Sequence, residues 1–135
     1  MRIIPLGGLL LVGVLVTGCS SMTDGISLTG GEGGTAKLQQ QSSNLGQRVS
    51  LELKQLRRQD ERLELAIKVK SNIAYDQSLQ YKVDWFDEGG MPVEPERAYW
   101  QPLIVHGREE KVLRASAPLA DATSFSFAIR EIVKD

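Results

Sequence analysis

Apolar side chains recur at every second position through most of residues 45–135. Val49, Leu51 and Leu53 alternate with Ser50, Glu52 and Lys54. Leu63, Leu65, Ile67 and Val69 alternate with Glu64, Ala66, Lys68 and Lys70. Leu79, Tyr81, Val83 and Trp85 alternate with Gln80, Lys82 and Asp84, and Phe125, Phe127 and Ile129 with Ser124, Ser126 and Ala128. A shorter, less regular run covers residues 112–115. A period of two sends each apolar set to one face of a sheet, and no helix can do the same. The intervening segments carry turn chemistry: residues 58–61, 71–74, the Asp87-Glu88-Gly89-Gly90 run, His106-Gly107 and residues 117–121. Pro92 and Pro95 confine their segment to a loop or an edge. Six or seven short strands in about 90 residues predict an all-β fold, a small antiparallel β-sandwich of immunoglobulin-like size. Helical periodicity is missing from this region, which leaves room for at most one helical turn near residues 118–122.

The N-terminal part follows other rules. Arg2 precedes an apolar run, residues 3–16, broken only by glycines and Pro5. Its length of about 14 residues falls short of the roughly 20 that span a bilayer, so it reads as a secretory signal. Cys19 is the only cysteine in the chain. It has no partner for an intrachain disulfide, and with a single histidine it makes a metal site of nitrogen and sulfur ligands untenable. The segment "LVTGC", residues 15–19, resembles the lipobox of bacterial lipoproteins through Leu15, Gly18 and Cys19. That resemblance implies a lipid on the Cys19 thiol and cleavage between Gly18 and Cys19. Each buried methylene contributes about 0.8 kcal/mol, so two or three acyl chains make the attachment effectively permanent. Ser20 follows the cysteine where an aspartate favours retention at the inner membrane, which implies transfer to the outer membrane.

Residues 20–44 are rich in Gly, Ser, Thr and Gln and include "TGGEGGT" and "QQQSSN". Such composition buries too little apolar surface to offset the entropy of ordering. It predicts a flexible tether with an average reach of about 25–30 Å, although a short strand at residues 26–28 or 37–40 is compatible with it. The expected organisation is a signal peptide over 1–18, a lipidated cysteine and linker over 19–44, and a β-sandwich over 45–135. Net charge is −1 for the whole chain. Removing residues 1–18 takes Arg2 away and leaves 15 basic against 17 acidic side chains, a balance of −2. Nucleic acid is therefore not an expected partner.

Few side chains stand out as chemistry. His106 precedes Gly107 in a predicted turn and has no nucleophile elbow to serve. Asp84, Asp87, Glu88, Glu94 and Glu96 gather around a predicted hairpin, where acids serve turns or, as a pair, glycan hydrolysis. Lys54, Arg57, Arg58 and Arg62 surround another hairpin with acids interleaved, as on a solvated tip. The glycines of residues 30–34 lack the strand, helix and lysine of a phosphate loop. Trp85 continues the apolar set of its strand and belongs to the core. Trp100 either packs on Trp85 or caps the sandwich; alternatively, Tyr99 and Trp100 are exposed anchors for a partner. Phe86 lies off the core phase, over the opposite sheet face or at a binding edge.

Residues 79–131 contain Tyr81-x-x-x-Trp85-Phe86-Asp87, Gly90, Val93-Glu94-Pro95, Trp100, His106-Gly107, Ala117-Pro118, Phe125 and Arg130-Glu131. In order and spacing this resembles the YcfL-type family of small Gram-negative envelope lipoproteins. The resemblance implies a β-sandwich on a lipid anchor and brings no reaction with it. The expected function is a lipid-anchored, non-catalytic binding or accessory module on the periplasmic face of the outer membrane. It has no cofactor beyond the lipid on Cys19. Its partners are the membrane and an envelope protein or peptidoglycan, with Phe86, Tyr99 and Trp100 as candidate contacts. Two alternatives stand beside it: a peptidoglycan-active or glycan-binding protein using acids near residues 84–96, and a structural lipoprotein of an envelope assembly.

Overall fold

The computed structural model describes residues 25–34, 36–40 and 43–132. The signal segment, Gly18 and Cys19 lie outside them. Two antiparallel sheets pack face to face. The larger has five strands in the order β2 (Lys37–Gln40), β1 (Gly25–Gly31), β8 (Ser124–Glu131), β5 (Gln77–Phe86) and β6 (Gln101–Val105). The smaller has three, in the order β3 (Val49–Gln59), β4 (Arg62–Ser71) and β7 (Glu110–Ser116). The fold is the small antiparallel β-sandwich that the alternation predicts.

The apolar sets meet between the sheets. Leu63, Leu65, Ile67 and Val69 from β4 face Leu79, Trp85, Phe125, Phe127 and Ile129, all buried. Tyr81 stacks on Phe127 with ring centroids 5.7 Å apart. In β3 the register shifts between Leu53 and Gln55. That bulge exchanges the phase of the strand, so Leu56, opposite Leu65, returns to the core side. Asp60 and Glu61 turn β3 into β4 with φ of 55° and 68°. Positive φ at both central residues gives the turn the twist of the strands it joins.

The structure corrects the sequence reading in three places. The domain does not begin at residue 45. β1 pairs with β2 on one side and with β8 on the other, and Ile26 and Leu28 are buried in the core. Two apolar residues at period two suffice because the alternate positions, Ser27, Thr29 and Gly31, lie opposite Ala128, Ser126 and Ser124 on the outer face. Second, a short helix, α1 (Ser43–Arg48), carries the chain from one sheet to the other and buries Leu45; six residues are too few to show a helical period. Third, the short, irregular run at residues 112–115 is part of a regular strand, β7, in which Val112 is exposed while Lys111, Leu113 and Ala115 are half-buried.

Candidate functional site

The loop after β5 is held against the end of that strand by its own backbone. The Asp87 carboxylate accepts from the N–H groups of Gly89 and Met91, at 2.9 Å each. Gly90 supplies a φ of 84°. The Val93 N–H then donates to the Trp85 carbonyl at 2.8 Å, and a 3-10 turn at Pro95–Arg97 brings the chain across the opening between the sheets. The smaller sheet does not cover β5 fully on this side. Tyr81 and Val83 remain half-buried although they point inward.

The result is a lateral cleft of about 560 Å³. Val83 and Trp85 form its floor, Val93, Ala98 and Tyr99 one wall, and Ser116, Ala117 and Pro118 the other. A cavity of about 290 Å³ adjoins it along the floor, reaching Tyr81, Gln101 and Arg114. Three arginines border this region: Arg62, Arg97 and Arg114. Arg97 pairs with Glu94 at 3.6 Å, while Arg62 and Arg114 form no ion pair among the described residues. An aromatic and aliphatic floor bordered by arginines and by the carboxylates of Glu94 and Glu96 suits binding of an apolar group with polar flanks.

The candidate contact residues part company. Tyr99 stands at the lip of the cleft, 64% exposed. Trp100, one step along an extended chain, points to the other side of the five-stranded sheet. Its ring lies 3.8 Å from the Arg130 guanidinium and 5.1 Å from the Lys82 ammonium. It neither packs on Trp85 nor caps the sandwich. Phe86 shares that outer face by register and lines a shallow depression with Thr29, Lys37 and Ser126. Only Tyr99 of the three belongs to the cleft.

The acids also disperse. Asp84 lies 3.8 Å from Lys82 on the outer face, Asp87 caps its own turn, and Glu94 and Glu96 line the cleft. His106 is 3.2 Å from Asp76 in an exposed turn, at the end of the sandwich opposite the cleft. Among the described residues no group of three or more metal-ligating side chains is placed to hold an ion. Of the basic hairpin residues, Arg62 reaches the cleft, while Arg58 is structural. It makes a two-pronged contact with Glu32 at 2.8 and 2.9 Å and donates to the carbonyls of Glu61, Ala120 and Ala122. Arg114 escaped sequence reading because its strand is irregular and its role depends on β7 being an edge.

These features define a class: an antiparallel five-on-three β-sandwich with a lateral cleft beside one edge strand. The chain belongs to the family described as a protein of unknown function (DUF1425), whose model matches residues 36–131. Its structure is similar to that of a DUF1425 family member from Shewanella sp. pv-4, with a TM-score of 0.59 and 24% identity over 86% of this chain and 95% of that one. It is also similar to Campylobacter jejuni cj0090, with a TM-score of 0.50 and 25% identity over 59% of this chain and 85% of that one. No curated protein matches.

Proposed function

We propose that this protein is a non-catalytic binding module of the bacterial envelope, lipid-anchored through Cys19 on the periplasmic face of the outer membrane, and that it takes its partner in the Tyr99 cleft. The observation that carries the reading is the cleft itself: core-facing residues of β5 left partly uncovered, beneath an exposed tyrosine and beside Arg62 and Arg114, which form no ion pair among the described residues. The lipobox and the resemblance to YcfL-type lipoproteins support the anchor. Among the described residues no helix is long and apolar enough to cross a membrane.

Topology adds a geometric argument. β1 starts at Gly25, six residues after Cys19, so the connection reaches about 20 Å at most. This replaces the longer tether expected from composition. Gly25 pairs at the end of β8 and beside the start of β5, whereas the cleft lies where β5 ends. An anchor on Cys19 therefore sits at one end of the sandwich and the cleft near the other, facing away from the bilayer.

Two experiments test the reading. Metabolic labelling with a clickable fatty acid should mark the protein, and Cys19→Ala should abolish the label; equal labelling of the variant refutes the anchor. Immobilised protein should retain isolated peptidoglycan or a discrete envelope protein, and Tyr99→Ala should reduce that capture in a folded chain. The glycan-active alternative has one observation in its favour, that Glu94 and Glu96 both line the cleft. Turnover of wall fragments that Glu94→Gln removes would establish it in place of the binding role.

A further inference from the structure

A sheet edge is a row of unpaired backbone groups that invites another strand, and three of the four edges here are blunted by recognised means. β2 has only four residues. β3 carries the bulge at Leu53/Gln55 and a run of charged side chains. β6 contains Pro102, and the Lys111 ammonium donates to its Ile104 carbonyl at 2.9 Å. The fourth edge, β7, is guarded only in its first half, where Lys111 points inward. From Leu113 to Ser116 it has no proline, no bulge and no inward charge.

The register says which groups are free there. The Ala117 N–H donates to the Leu63 carbonyl and the Ser71 N–H to the Glu109 carbonyl. With the pairing of Leu65 to Ala115 and Ile67 to Leu113, the odd-numbered residues of β7 exchange hydrogen bonds with β4. In an antiparallel ladder the alternate residues turn their N–H and C=O outward. Those of Val112, Arg114 and Ser116 therefore face the open edge, and among the described residues no backbone hydrogen bond outside the ladder to β4 reaches this stretch.

The cleft lies directly beside that edge. A strand laid along it would put every second side chain over Val83 and Trp85, completing the smaller sheet where it is one strand short. Resting on the binding role argued above, we propose that the site takes an extended peptide segment of a partner protein by strand addition to the second half of β7. Alternate apolar residues of that segment fill the cleft, and an acidic side chain meets Arg114. Charge decides the occupant. Among the described residues Arg114 and Arg62 form no ion pair, so a carboxylate completes them. A second copy joined through its own β7 would set arginine against arginine.

The test uses the full chain as purified from cells and a short synthetic peptide of alternating valine and threonine with a central glutamate. A lysine version serves as its control. The glutamate peptide should bind about tenfold or more tightly than the lysine peptide and should slow amide exchange at Val112, Arg114 and Ser116. Arg114→Glu should invert the preference. Ser116→Pro removes an outward N–H and spares the ladder to β4, so it should abolish binding in a chain whose β4 amides stay protected from exchange. Binding indifferent to Ser116→Pro overturns strand addition, and so does no binding of either peptide at millimolar concentration. Neither result touches the wider reading, which is tested separately by whether Tyr99→Ala reduces capture.

Discussion

Tyr99 and Trp100 are neighbours in sequence with unrelated positions. An extended backbone sends one into the cleft and the other to the outer face, where the Arg130 guanidinium stacks on the indole and is itself held by a hydrogen bond of 3.0 Å to Gln80. Tyr99→Ala is expected to weaken partner capture, whereas Trp100→Ala should leave capture unchanged while exposing Arg130; parallel binding assays on both variants decide this. Gly107 shows a harder constraint. A Cβ there would stand 2.1 Å from the Ala74 carbonyl oxygen, a backbone atom that cannot swing away. Gly107→Ala should destabilise the domain by about 2 kcal/mol or more, read from the urea midpoint.

Among the elements, β1 separates what sequence pattern reveals from what it hides. The strands β3, β4, β5 and β8 were legible because long runs of apolar residues alternate with polar ones. β1 was legible only as a short strand over residues 26–28 within a tether, because its outward positions hold Ser, Thr and Gly, which also mark linkers. Leu28→Ala is therefore diagnostic. A residue in a tether costs nothing when truncated, but Leu28 is 4% exposed, and its loss should cost about 2–4 kcal/mol. The cleft was less legible than the fold. Val93, Ala98 and Arg114 become a site only through the tertiary placement of a loop and an edge, which no local period encodes. Across β3 and β4, Glu52 lies 3.2 Å from Lys68. The hydrogen bond from Lys68, with the charge of Lys54 beside it, holds the Glu52 carboxyl below its ordinary value. A depressed carboxyl contributes stability above its unfolded pKa and loses it as pH falls towards the folded one. Stability should thus decline as pH drops below the ordinary glutamate value near 4.5, and Glu52→Gln should soften that decline in chemical denaturation measured across pH.

For the molecule as a whole, the proposed anchor and the cleft lie at opposite ends. The end where β1 starts holds a polar network in which Arg48 contacts Gln77 and Glu131, and Gln77 donates to the buried Ser71 hydroxyl. On the present account it faces the membrane. The other end holds the cleft and the Arg58 clasp, which ties the β1–β2 turn, the β3–β4 turn and the segment before β8 together. Arg58→Ala should lower the urea midpoint and loosen the cleft's frame, with Arg58→Lys recovering only part because it cannot reproduce the two-pronged contact.

If the proposed role holds, the protein meets its partner at the cleft and not elsewhere on its surface. Tyr99 and Tyr75 offer a matched pair, 64% and 66% exposed, at opposite ends of the sandwich. A photo-crosslinking amino acid placed at either position in the full chain, with irradiation of living cells, reads this directly. A discrete adduct from position 99 that position 75 does not give is the predicted result. Adducts at position 75 alone, or the same adducts at both, would contradict the account.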